Sequence, residues 1–234
     1  MKKEKISGRN LKREIRLILR SDDINTAMEF ITKIPPKRAV NPLFSFLCSL
    51  DERLKWRAVT AMGQVVSNLA DTDLESARVI MRRFMWHLND ESGGIGWGCP
   101  ESMGEIMVRC ERLADEYGCL LISYIQPEGN YLEHEILQRG VLWGLGRLAH
   151  SRPRFVKDAA AYFLPFMQSE DPHLRGLAIW AISPLASPEA LPRLKLLSDD
   201  PSELSLYDDN ELRRCTVSQL AKHALSVAES VINS

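Results

Sequence analysis

The stretch DPHLRGLAIWAIS, residues 171–183, decides how the rest of the chain is read. Asp171 is a good helix N-cap, and Pro172 suits the first helical position, where its missing N–H costs nothing. Arg175 follows Asp171 by four residues, a spacing that allows an ion pair on one helix face. With Arg175 as position zero, positions minus one, three, six and seven hold Leu174, Ala178, Ala181 and Ile182. Steps of three and four put these residues on one buried stripe. The two alanines let a partner helix come close.

Four other segments share the pattern: DERLKWRAVTAMG (51–63), SGGIGWGCPESMG (92–104), HEILQRGVLWGLG (134–146) and DNELRRCTVSQLA (209–221). The five segments end at Gly63, Gly104, Gly146, Ser183 and Ala221, in steps of 37 to 42 residues. Such a period marks a stack of similar units, each unable to bury its apolar face alone. Partner helices are expected near 38–49, 73–88, 111–125, 154–168 and 188–197, with capping helices near 10–20 and 22–33. No strand of useful length is expected. Residues 199–211 hold six acids and no Lys or Arg, and are expected to form an exposed loop.

The pattern resembles the second helix of HEAT repeats, Asp-Pro-x-x-Arg-x-x-Ala-x-x-Ala-Leu-Gly, across roughly residues 38–231. The resemblance implies an all-α, right-handed solenoid of five to six helical pairs. It would be one domain over 1–234, with a basic arm and capping helices in 1–36 and five repeats in 37–234. In that family the second helices line the concave surface. The string DESGGIGWG (90–98) also resembles a stretch of uncharacterised HEAT-repeat proteins of anaerobic bacteria, a resemblance that implies no activity.

Composition narrows the functional classes. Thirty Lys and Arg against 31 Asp and Glu give a net charge of −1, with no overall attraction to nucleic acid or anionic membrane. Residues 1–20 alone carry eight Lys or Arg and two Glu, which reads as a solvated basic arm. Cys48, Cys99, Cys110, Cys119 and Cys215 form no CxxC pair and no zinc spacing, as expected of reduced thiols in a cytoplasmic protein. Neither a signal peptide nor a membrane span is expected.

The repeat register also maps a candidate site. Positions one, five and nine fall off the buried stripe, toward the concave side in the resembled family. They place Trp97, Glu101, Glu105, Arg139, Trp143, Arg147 and Trp180 on neighbouring rows. Trp and Arg are common anchors of binding surfaces. Glu101 and Glu105 also have a plain structural reading, as ion-pair partners of Arg139 and Arg147. Gly93, Gly94, Gly96 and Gly98 occupy what should be the first turns of the second inner helix. At about 1 kcal/mol each relative to alanine they delay that helix to Pro100 or Glu101, with Gly98 or Cys99 as its cap. The resulting loop, 90–98, is expected beside the concave face, with Asp90 and Glu91 folding over it. Its alternative role is to let a neighbouring helix pack closely.

These features predict a non-catalytic binding or scaffold protein that takes a protein or small polar ligand in its concave groove. No cofactor, no metal, no membrane contact and no strong nucleic-acid binding are expected. The alternative is an enzyme on a similar scaffold. HEAT-like deoxyhypusine hydroxylases use several His-Glu pairs, and only His134-Glu135 occurs here. No lyase motif is visible. Alkylpurine DNA glycosylases of similar build use groove tryptophans and basic residues, but here glutamates stand among them.

Overall fold

The computed structural model describes residues 7–89 and 96–232. The first four helices are α1 (Gly8–Leu19), α2 (Ile24–Thr32), α3 (Pro36–Leu47) and α4 (Glu52–Thr72). Then come α5 (Leu74–Leu88), α6 (Cys99–Arg109), α7 (Glu111–Ser123), α8 (Glu135–Ser151), α9 (Ala160–Phe163), α10 (Pro172–Ile182) and α11 (Leu191–Leu197). A hairpin of β1 (Glu203–Asp208) and β2 (Glu211–Thr216) leads into α12 (Val217–Ile232). Helices α4, α6, α8, α10 and α12 pack in succession, and α3, α5, α7, α9 and α11 flank them. The architecture is an all-α solenoid.

The stripe read from the sequence is the core. Leu54, Ala58, Ala61 and Met62 on α4 are buried, as are Leu137, Val141 and Leu145 on α8 and Leu174, Ala178, Ala181 and Ile182 on α10. Three inner helices, α4, α8 and α10, begin on capping side chains. Asp51 accepts from the Leu54 N–H at 3.1 Å, Asp171 from His173 at 3.0 Å, and His134 Nδ1 from Ile136 at 3.2 Å. Because these aspartates face their own helix ends, they do not pair with the base four residues on. Asp51 pairs with Arg20, Asp171 with Arg139, and Arg175 with Asp200. These bonds join neighbouring units rather than turns of one helix.

Two other expectations are corrected. The outer helix near 154–168 is broken into short 3-10 turns around α9, and Pro165, which lacks the N–H that a continuous helix needs, stands between α9 and the last of them. The stretch 199–211 is not an exposed loop, and the fifth inner helix starts only at Val217. Residues 203–216 instead form the antiparallel hairpin, with Glu203 opposite Thr216 and Asp208 opposite Glu211. Asp209 (φ 48°) and Asn210 (φ 64°) make its two-residue turn. Positive φ at both central positions matches the twist of antiparallel strands.

Candidate functional site

The glycine-rich turn, the inner helices and the hairpin meet on one face. Gly98 ends the turn at φ +75° and caps α6, with Pro100 in the first helical turn. A Cβ there would be strained and would lie 2.8 Å from Leu47 Cβ, so only glycine suits both backbone and neighbour. Of the segment 90–98, Asp90 and Glu91 with residues 92–95 lie outside the described residues. Further along, Gly104 and Gly144 let α6 and α8 touch backbone to backbone, since a Cβ on Gly104 would stand 2.5 Å from Gly144 Cα.

The expected open groove is filled by the hairpin. Tyr207 stacks on Trp56, with centroids 4.8 Å apart and planes 10° off parallel. Its carbonyl accepts from Trp143 Nε1 at 2.8 Å, and its hydroxyl lies 3.0 Å from Thr60 Oγ1. Burial pushes the Tyr207 phenol up, against the lowering effect of the Thr60 hydrogen bond. Leu204 takes the space that Gly176 leaves open. Aromatic contact continues from Trp56 to Trp143 at 4.7 Å, from Trp143 to Trp180 at 6.2 Å and from Trp180 to His150 at 4.8 Å. The tryptophan rows are therefore adjacent at the same register, but Trp143 and Trp180 are covered, at 2% and 5% exposure.

Beside the hairpin two cavities stay open, one of about 670 Å³ between Asp22, Arg57 and Asp209 and, on the Trp97 side, one of about 280 Å³. Trp56, Trp97 and Trp143 give the smaller one aromatic walls, and Leu177 and Leu212 add apolar surface. Glu101, Lys55, Arg139 and Glu52 supply charge, and Leu50 and Ile136 stand exposed at its edge. Glu101 is 3% exposed and its Oε1 accepts from Lys55 Nζ at 2.9 Å. Glu101 Oε2 and Trp97 Nε1 are both buried with no hydrogen-bond partner among the described residues. Both residues line the cavity, and a buried acceptor and a buried donor left unmatched cost about 1–3 kcal/mol each. Arg139 holds Asp171 through Nε at 2.7 Å, and His173 Nδ1 lies 3.6 Å from the same carboxylate.

The sequence-derived set thus divides. Trp97, Glu101, Arg139 and Trp143 line one cavity. Glu105 and Arg147 do not, because they bind each other at 2.9 Å while Arg109 takes the second Glu105 oxygen at 2.6 Å. Glu105 sits against Gly63, where a Cβ would meet its Cγ at 2.5 Å, so this cluster joins repeats. Glu101 pairs with Lys55 and Arg139 with Asp171, not with each other. The register also gives Lys55 and Trp56 positions zero and one of the first repeat, the same as Gly96 and Trp97, but the candidate set left them out. It missed Tyr207 because no periodicity marks a side chain inserted from a distant hairpin.

Among the described residues no group of three or more His, Cys, Asp or Glu is placed to hold a metal ion, and no helix is long and apolar enough to cross a membrane. Comparison with known proteins agrees with the architecture. Residues 135–185 match the HEAT-like repeat family model. An uncharacterised protein of the archaeon Archaeoglobus fulgidus is 25% identical over 189 residues, covering 76% of this chain and 91% of that protein. A designed armadillo repeat protein in complex with peptide (KR)4 superposes with a TM-score of 0.51 at 17% identity, covering 92% of this chain and 98% of that one. A Kap121p mutant superposes at 0.57 with 15% identity, covering 94% of this chain and 25% of that one. The chain has the all-α solenoid architecture seen in HEAT and armadillo repeat proteins, and its residues 135–185 are similar to the HEAT-like repeat model.

Proposed function

We propose that the protein is a non-catalytic binding module that receives a small, positively charged polar group in the cavity between Trp97, Glu101 and the hairpin. The observation that carries this reading is Glu101. Its carboxylate is buried, only one of its oxygens has a donor, and three tryptophans line the same cavity. A buried carboxylate oxygen beside aromatic faces favours an ammonium or guanidinium group. The designed armadillo neighbour binds the basic peptide (KR)4, which is consistent with cation recognition on such a scaffold. In this chain the hairpin fills the central groove, so the occupant is a small ligand or one side chain of a protein partner rather than an extended peptide.

The nearby thiols support a binding role. Burial pushes the Cys99 thiol well up, and burial also raises that of Cys48 against the opposing charge of Lys55. Thiols held protonated are poor nucleophiles. The glycosylase-like alternative needs groove tryptophans that can reach a nucleic acid, and Trp143 and Trp180 are buried. Duplex DNA is accordingly expected to bind only weakly, through the basic residues near the N-terminus, with an affinity that fades as salt rises.

Titration of the full chain with small alkylamines and with (KR)4, followed by intrinsic tryptophan fluorescence, tests the reading. A saturable change in the wild type that Glu101→Gln abolishes is expected. No saturable change with any amine or basic peptide at millimolar concentration would overturn it.

A further inference from the structure

We infer that the cavity selects a zwitterion, a free α-amino acid with an apolar side chain, holding its ammonium on Glu101 and its carboxylate on Arg139 and the Trp97 indole N–H. This inference rests on the binding reading above and goes further by naming the ligand class. Three observations meet in it.

The first is the pair of unmatched groups. Glu101 Oε2 is an acceptor without a donor, and Trp97 Nε1 is a donor without an acceptor. A ligand that carried only an ammonium would leave the indole N–H unmatched. One that carried only a carboxylate would leave Glu101 unmatched and would also be repelled by it. A zwitterion answers both. The cost of an unsatisfied buried group makes such a site reject the analogue that lacks one partner.

The second is charge balance. Glu101 and Glu52 stand against Lys55 and Arg139 around the same cavity, so its charged lining is neutral overall. A ligand with zero net charge preserves that balance. The two cations are not equally occupied. Lys55 is committed to Glu101 at 2.9 Å and lies over the Trp56 ring at 4.9 Å. Arg139 is anchored to Asp171 through its Nε. That anchor uses Nε alone and leaves the terminal nitrogens available, and a guanidinium is suited to a carboxylate.

The third is size and wall chemistry. About 280 Å³ lies just below the range of drug-sized pockets, which fits a molecule of few atoms. Between the charged ends the walls are Trp56, Trp143, Leu177 and Leu212. They favour a side chain that gains by leaving water.

Isothermal titration calorimetry on the full chain, with L-leucine, L-phenylalanine and their single-charge analogues, tests this. The analogues are isoamylamine and phenethylamine, which lack the carboxylate, and 4-methylpentanoate and 3-phenylpropanoate, which lack the amine. At least one amino acid is expected to bind, with both of its analogues weaker by about tenfold or more, the scale of one lost charge-assisted bond. Glu101→Gln is expected to remove the preference for the amino acid over the carboxylate. Arg139→Met is expected to remove the preference over the amine, and its partly exposed position makes it the better folded control. Far-ultraviolet circular dichroism and the melting temperature establish that each variant folds. If amines bind as tightly as the amino acids, the zwitterion inference fails while Glu101 as a cation acceptor stands. If only (KR)4 binds, the inference fails and a protein partner remains. If nothing binds, both fail together.

Discussion

His150 shows how one side chain reports the packing of the aromatic row. It stacks on Trp180 at 4.8 Å, and its Nε2 lies 3.0 Å from the Trp180 carbonyl. Burial lowers its pKa, and the hydrogen bond to Trp180 only partly opposes this. The neutral ring is therefore the folded form near pH 7. In the unfolded chain a histidine takes up its proton as pH falls through about 6.5. The unfolded state then binds more protons, so the stability present above that pH is lost as pH falls toward the lowered folded value. Urea midpoints measured between pH 7.5 and 5.5 should decline, and His150→Phe should flatten the decline. Trp97 gives a second prediction at this scale. It is half-buried in a turn rather than set in a helix interface, so Trp97→Ala is expected to fold and to lose ligand. A protein that unfolds on this change would make the turn a packing device.

At the scale of elements, two contacts decide the geometry of the cavity. The first is the crossing of α6 and α8 at Gly104 and Gly144. Gly104→Ala puts a methyl group 2.5 Å from backbone, which cannot move as a flexible side chain would. It should destabilise by about 1–3 kcal/mol, read from the urea midpoint, and displace Glu101 relative to Trp143. The second is the hairpin. Tyr207→Phe removes only the hydroxyl contact with Thr60 and should cost about 0.5–1.5 kcal/mol. Tyr207→Ala also vacates the space against Trp56 and should cost about 3–5 kcal/mol. The larger change should shift tryptophan emission to the red as Trp56 and Trp143 meet water, while the smaller should not.

For the whole molecule, the hairpin changes what kind of solenoid this is. A simple repeat array has contacts between neighbours only, and its ends can unfold separately. Here Tyr207, near the C-terminal end, touches Thr60 and Trp56 on the first inner helix and Trp143 on the third. Arg57 ties the same helix to the turn between α1 and α2, donating to the Leu19 and Asp22 carbonyls at 3.1 Å and to that of Ser21. The chain is thereby tied across its concave face. Equilibrium unfolding in urea should be one transition in the wild type. Replacing residues 203–212 by a short Gly-Ser link should lower the midpoint and separate the fluorescence and circular-dichroism curves.

The amino-acid sequence alone determined the repeat, its register and the late start of α6. Those features depend on local periodicity, capping and glycine propensity, which act between residues close in the chain. Leu54, Leu137 and Leu174 had to be inside because a helix has one apolar face, and four glycines within six residues could not start a helix. The same register also placed Trp97, Glu101, Arg139 and Trp143 on one side. Only the tertiary structure decided which of them share a cavity and which are consumed by pairing. The segment 209–221 matched the repeat well enough to read as helix, and an Asp-Asn turn is a weak hairpin signal beside Asn-Gly. Its strands form because Leu204, Leu206 and Tyr207 find burial against a concave face assembled from helices far away in the chain. That face exists only once the solenoid has stacked, so no local pattern could carry the information.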